Sequence, residues 1–216
     1  RTNYSGFARI YDVLATLYSG GKIAACKRAQ VPSIKPGDRV LYAGAGAASD
    51  AIMAAQAGGQ VTVIELSPKM VSVVRERVEQ EGLSNTIEVI CGDVFAHDRL
   101  HHYDIVVANF FLNVFSRSLM RRMLGHLATL VRPDGQFLIS DFHPPAGSWF
   151  ARQFQKLYYY IAMWSFVLLA KNAVHPIYDY QSELNSNGLE VERHENFRLF
   201  GHGPLAYRVW FARKPA

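Results

Sequence analysis

Val40-Leu41-Tyr42-Ala43-Gly44-Ala45-Gly46 is an apolar run that ends on two glycines, and a second apolar run, 61–65, ends on the carboxylate of Glu65 about twenty residues further on. Glycine leaves room for a ligand to approach the backbone at a tight strand-to-helix turn, and a carboxylate closing the neighbouring strand can accept two vicinal hydroxyls. Outward from this pair the chain alternates. Strands are expected over 39–43, 61–65, 86–90, 104–108 and 136–141. Between them come a helix capped by Ser49 and running through residue 57, a helix capped by Ser67 with Pro68 at its first position and Gly82 beyond its end, and a helix over 116–130. Such alternation predicts an α/β protein, a parallel sheet covered on both faces.

Both ends break this rhythm. A helix near 178–187 stops at Gly188, and strands over 189–200 and 205–214 follow, joined by Gly201-His202-Gly203-Pro204. So short a link makes them an antiparallel pair at the end of a seven-stranded sheet. At the other end, Phe7, Ile10, Tyr11, Leu14, Leu17 and Tyr18 recur at helical spacing before Gly20-Gly21, a second helix is expected over 22–30, and Pro32 and Pro36-Gly37 punctuate the approach to the first strand. No repeat or linker interrupts the chain, so 1–216 reads as one domain with a helical cap over 1–35 and an aromatic-rich helical insertion over 145–175.

Composition narrows the class. Half of the 216 residues are apolar, enough for a full core, and the two cysteines, Cys26 and Cys91, have neither zinc-site nor disulfide spacing. A reducing, cytoplasmic setting is the expectation, since 1–10 holds no apolar core of leader length and the longest apolar run, 157–170, falls short of the roughly 20 residues of a spanning helix. A net charge of +5 without a cationic run disfavours nucleic acid as partner. No metal is expected, and no Gly-x-Ser-x-Gly elbow or His-Glu-x-x-His motif occurs.

The segments around the two glycines also resemble a known family. Residues 40–46 with Ile64-Glu65-Leu66-Ser67-Pro68-Lys69-Met70 are similar to the first two motifs of class I S-adenosylmethionine-dependent methyltransferases, notably the ubiquinone and menaquinone C-methyltransferase branch. Cys91-Gly92-Asp93-Val94, Tyr103-Asp104-Ile105-Val106-Val107 and Leu130-Val131-Arg132-Pro133-Asp134-Gly135-Gln136 match further segments in order. The resemblance implies a Rossmann-like, mostly parallel sheet with a reversed C-terminal strand. It also implies S-adenosylmethionine as cofactor, S-adenosylhomocysteine as product, and a cofactor cradle of Tyr42, Gly44, Ala45, Gly46, Glu65, Leu66, Met70, Gly92, Asp93, Val94, Asn109 and Phe110. Two positions depart from the family: Tyr42 stands where it commonly has an acidic residue that organises the methionine end, and Ala48 stands where it has a third glycine.

Methyl transfer is an in-line displacement at a carbon already activated by sulfonium, so the protein mainly aligns the acceptor and excludes water. The chain lacks the Asn-Pro-Pro-aromatic loop of amino-methylating nucleic-acid enzymes after its fourth strand, which argues against adenine or cytosine amino groups as acceptor. The resemblance instead implies a small, largely apolar acceptor, quinone-like or otherwise aromatic. His143, delivered by the fifth strand, is a candidate proton acceptor, weighed equally against a histidine that only bonds a loop. Tyr11, Tyr18, His143, Trp149 and Tyr158 are the candidate acceptor contacts. The aromatics of 149–170, with Arg152, Lys156 and Lys171 around them, admit three roles: a lid, which is favoured, an interfacial helix making peripheral membrane contact, and a dimer contact. The competing functional reading is a catalytically degenerate S-adenosylmethionine-binding protein with a regulatory or assembly role. An NAD-dependent oxidoreductase and an RNA-modifying enzyme rank below it.

Overall fold

A computed structural model describes residues 16, 18–44, 46–170, 176–199 and 202–216, with 162–170 described in backbone only. Its elements in chain order are α1 (Lys22–Gln30), β1 (Arg39–Ala43), α2 (Ser49–Gln56), β2 (Gln60–Glu65), α3 (Pro68–Gln80), β3 (Ile87–Cys91), β4 (Tyr103–Asn109), α4 (Arg117–Leu130), β5 (Val131–Phe142), α5 (Trp149–Ala170), α6 (Tyr180–Ser186), β6 (Glu190–Arg198) and β7 (Leu205–Arg213).

All seven strands form one sheet in the order β3-β2-β1-β4-β5-β7-β6. β1 pairs in parallel with β2 and with β4, β2 with β3, and β4 with β5, while β7 runs antiparallel to both β5 and β6. The expected fold class therefore holds: a Rossmann-like, mostly parallel sheet with a reversed C-terminal strand. Strand order reverses between β1 and β4, which opens a crevice at the carboxyl edge of the sheet.

The central strands are apolar on both faces because helices cover both. Val40 and Tyr42 of β1 pack with Val63, Val107, Ala51 and Val74 on one side; Leu41 and Ala43 pack with Val106, Met120, Leu124 and Leu127 on the other. This is the two-residue period of a strand buried from both directions. The edge strand β6 instead carries Glu190, Glu192, Arg193, Glu195 and Arg198, the charge pattern that discourages edge-to-edge pairing.

Local signals explain most boundaries, with one correction. Ser67 caps α3 by accepting from the Met70 amide at 3.4 Å, with Pro68 in the first turn. Ser49, however, lies inside α2; the cap is Ala48, which turns the chain at φ 57 without a side-chain bond. An alanine thus holds a left-handed conformation that glycine adopts without strain. The C-terminal elements are shorter than their patterns suggested, β6 spanning 190–198 and α6 spanning 180–186, the latter starting late because Asp179 supplies its cap by accepting from the Gln181 amide.

Candidate active site

Five strand ends meet at the carboxyl edge. The register Ala43 opposite Ile64, Glu65 opposite Cys91 and Asn109 opposite Ser140 sets Gly44, Glu65, Gly92, Asn109 and Asp141 along one line. Gly44 leaves β1 at φ +67 and its amide donates to the Ile64 carbonyl at 2.9 Å. A Cβ there would stand 2.5 Å from the Phe111 ring, so the loop is drawn tight against the end of β4. Gly46 is also left-handed, at φ +49, with nothing within 4 Å of its would-be Cβ. We expect Gly44→Ala to lower affinity for S-adenosylhomocysteine by about tenfold, combining backbone strain of about 1 kcal/mol with displacement of Phe111. Gly46→Ala carries the strain alone and should lose less; equal losses in titration calorimetry would show that the Phe111 contact is irrelevant.

Glu65 is half-buried and turned by its own loop: one carboxylate oxygen accepts from the Ser67 amide at 2.9 Å, and its backbone carbonyl accepts from the Gly92 amide at 3.0 Å. Asp93 likewise spends one oxygen on the Phe95 amide at 3.0 Å. Neither second oxygen has a hydrogen-bond partner among the described residues. Leu66, 70% exposed, directly follows Glu65, Val94 is buried beneath the Asp93 turn, and Met70 lies in the first turn of α3. Ala45 and Tyr11 lie outside the described residues.

Asn109 takes a different posture from the one expected of a ligand-facing amide. Its Nδ2 donates to Gln30 Oε1 at 2.8 Å and to Asp50 Oδ2 at 2.9 Å, and its Oδ1 accepts from Gln30 Nε2 at 2.8 Å and from the Ser140 amide at 3.0 Å. All four bonds that the amide can make are therefore taken. Gln30 also donates to Ser140 Oγ at 2.9 Å, and Lys27 reaches Asp50 at 3.2 Å. A buried polar network thus joins α1 to α2, β4 and β5 below the switch point. Tyr42, at the position where the family commonly has an acid, is buried and donates to the Asp50 carbonyl at 3.2 Å, and burial raises its phenol pKa. The nearby carboxylate comes from Asp50, in the first turn of α2, which sequence reasoning missed. An acid in an otherwise alanine-rich helix was the signal that could have found it.

Phe110 follows at φ +51, an uncommon conformation for an aromatic residue and a strained point on the edge of the site. Its ring meets Phe142 and Tyr207 edge-on, at 6.2 and 5.8 Å. His143 is buried with both ring nitrogens engaged: Nδ1 donates to the Pro144 carbonyl at 2.5 Å, and Nε2 accepts from Arg208 at 2.8 Å. Burial, helped by the Arg208 charge, lowers its pKa, which favours the neutral ring. The ring is then unprotonated at Nε2, but that lone pair faces a guanidinium.

Asp141 is the other group that sequence reasoning passed over. It accepts from Tyr180 Oη at 2.5 Å, from Asn113 Nδ2 at 2.8 Å and from the Phe142 amide at 2.7 Å. Burial outweighs these three bonds and pushes its carboxyl up to about 7. Beside it the buried Asn113 Oδ1 has no partner.

Of the acceptor contacts, the structure brings Tyr18 and Tyr158 together. Their rings stack at 4.4 Å, each hydroxyl donates to the other's backbone carbonyl, and Tyr158 Oη lies 2.8 Å from Tyr207 Oη. Tyr158 and His143 also line a small crevice with Phe142, Phe154, Gln155 and Leu199, between α5 and the β6–β7 connection. Trp149 is not part of it; it is 59% exposed and meets Phe150 edge-on.

Comparison with known proteins agrees with this geometry. The model of a methyltransferase domain family matches residues 40–135. A mitochondrial ribosomal RNA small subunit methyltransferase of Arabidopsis thaliana is 33% identical over 92 residues, 43% of this chain and 24% of that protein. The ubiquinone/menaquinone biosynthesis C-methyltransferase UbiE of Methylobacterium nodulans is 29% identical over 147 residues, 64% of this chain and 57% of the relative. The chain thus spans about a quarter of the first relative's length and just over half of the second's. Among solved structures, magnesium protoporphyrin IX methyltransferase from Synechocystis PCC 6803 with bound S-adenosylhomocysteine superposes with a TM-score of 0.67 at 21% identity, over 92% of this chain and 84% of that one. With the glycine turn, the paired acids and the reversed last strand in place, residues 40–135 match a methyltransferase domain, and the chain resembles the class I S-adenosylmethionine-dependent methyltransferases, notably their ubiquinone and menaquinone branch.

Proposed function

We propose that this protein transfers the methyl group of S-adenosylmethionine to a small, largely apolar acceptor. The observation that carries the reading is the row formed by Gly44, Glu65 and Asp93 on three adjacent strand ends, each acid with one oxygen turned to the backbone and the other unused. The residues fit the cofactor. Gly44 holds the turn close against Phe111, Gly46 leaves open space that a Cβ would enter, Glu65 suits a ribose diol, Asp93 an exocyclic amine, and Leu66 an exposed apolar wall for a base. When bound, the cofactor supplies an electrophilic methyl carbon.

The chain's own residues then have three tasks. Phe142, Phe154, Tyr158 and Leu199 give the acceptor carbon-rich walls and keep water away. α5, held to Tyr18 through Tyr158, acts as the lid that closes over them. His143 serves as the proton acceptor only when Arg208 gives up Nε2, so acceptor entry has to displace that guanidinium. Apolar acceptors fit the names of two of the three proteins compared, one acting in quinone biosynthesis and one on magnesium protoporphyrin IX, while the third is named for ribosomal RNA.

The test has two parts. Calorimetry should detect binding of S-adenosylmethionine and S-adenosylhomocysteine, and methyl-labelled cofactor should pass its label to a member of a panel of demethylated quinols and phenols. Tight binding of both nucleosides without transfer to any acceptor would favour the competing reading, a cofactor-binding protein without turnover. Failure to bind either would overturn both.

A further inference from the structure

Among the described residues eight large apolar side chains stand exposed, and six of them belong to one helix: Trp149, Phe150, Phe154, Leu157, Tyr160 and Ile161 of α5, with exposures from 43% to 79%. Phe150, Phe154, Leu157 and Ile161 fall at i, i+4, i+7 and i+11, a single stripe along the helix. The opposite face does the packing: Gln155 and Tyr159 are buried, and Gln155 bonds the Ala146 amide and the Leu205 carbonyl at 2.7 and 2.9 Å. The stripe is therefore surplus to the core, since the helix is already anchored without it.

Charge says what should cover it. No Asp or Glu occurs in α5, while Lys156 and Arg152, one turn apart, are exposed along the Trp149–Tyr160 edge of this outward face, round the helix from the stripe itself. Aromatic and aliphatic side chains beside cations, with no acid among them, match the boundary between hydrocarbon and anionic headgroups, where indole and phenol rings settle and basic side chains reach outward. A second copy of the chain stacked on the same face would offer these two cations no acid from its own stripe. No helix of the described residues is long and apolar enough to cross a membrane, so the contact would be along the surface.

We propose that the outward face of α5, formed by Trp149, Phe150, Phe154, Leu157, Tyr160 and Ile161 with Lys156 and Arg152 along its Trp149–Tyr160 edge, is a docking surface for an anionic lipid bilayer. Because Phe154 of this face also lines the crevice, together with Gln155 and Tyr158 of the same helix, docking would set that crevice beside the hydrocarbon in which an apolar acceptor dissolves.

Vesicle flotation of the full chain tests this without requiring activity. Wild type should float with phosphatidylcholine vesicles containing phosphatidylglycerol, and less with phosphatidylcholine alone. Phe150→Glu with Leu157→Glu should weaken binding by more than about tenfold, and Arg152→Gln with Lys156→Gln by about tenfold at low salt and little at high salt. S-adenosylhomocysteine titration of each variant reports the cofactor site separately, so loss of lipid binding is not confused with loss of the methyltransferase reading. Three outcomes overturn the proposal: wild type stays in solution with every vesicle, the stripe variant floats like wild type, or the chain is a dimer in ultracentrifugation that the stripe variant splits while vesicles go unbound.

Discussion

Glu65→Gln should lower affinity for S-adenosylhomocysteine by about 100-fold while the melting temperature changes little, an affinity loss on the order of 3 kcal/mol. The substitution keeps size and keeps an oxygen for the Ser67 amide, so the turn into α3 survives. What goes is the negative charge and one acceptor, and hydrogen bonds to a charged group contribute about 1.5–3 kcal/mol each. Two ribose hydroxyls shared by one carboxylate would put the loss at the upper end. Calorimetry on the variant, with a thermal melt as the folding control, is the measurement. An affinity within about threefold of wild type would remove Glu65 from the cradle.

Asp141→Asn should change how stability depends on pH. An unfolded aspartate titrates near 3.9, whereas in the folded chain burial pushes the Asp141 carboxyl up to about 7. Between these values the folded state holds a proton that the unfolded state has released, so stability is fully present below about pH 4 and is lost as pH rises through about 7. The loss amounts to roughly 1.4 kcal/mol per pH unit across that window, several kcal/mol in all. Asparagine has no charge to bury. Its amide nitrogen takes the place of Oδ2 and can donate to Tyr180 Oη, which then accepts, while Oδ1 keeps the bonds from Asn113 and the Phe142 amide. Urea unfolding at pH 5 and pH 8 should show the variant gaining on wild type at the higher pH. Parallel pH slopes for the two proteins would show that Asp141 ionises freely in the folded state.

How much could be read beforehand depended on how local the cause was. The boundaries of β1 and α1 followed from an apolar run ending on glycine and from paired glycines ahead of a helical pattern, and the structure keeps 39–43 and 22–30. Ser67-Pro68 announced a helix start because a cap acts over three residues. Asn109 and His143 were harder, because their orientation is decided by partners far along the chain. Gln30 lies 79 residues from Asn109, and Arg208 lies 65 from His143. A lone amide or imidazole at a strand end reads as a ligand group until the fold shows what already occupies it. Ser49 illustrates a rarer case: a good capping side chain sat one position too late, and the turn was made by an alanine in a conformation that residue type disfavours.

The Gln30–Asn109–Asp50–Lys27 network also bears on where this protein could be trimmed. Similarity to the methyltransferase domain model begins at residue 40, ten positions after Gln30. A fragment cut at that boundary would leave a buried amide and a buried carboxylate stripped of their counterparts, a defect of several kcal/mol. The portion recognisable by ancestry is thus smaller than the portion able to stand alone, and the difference is held by two side chains of one short helix.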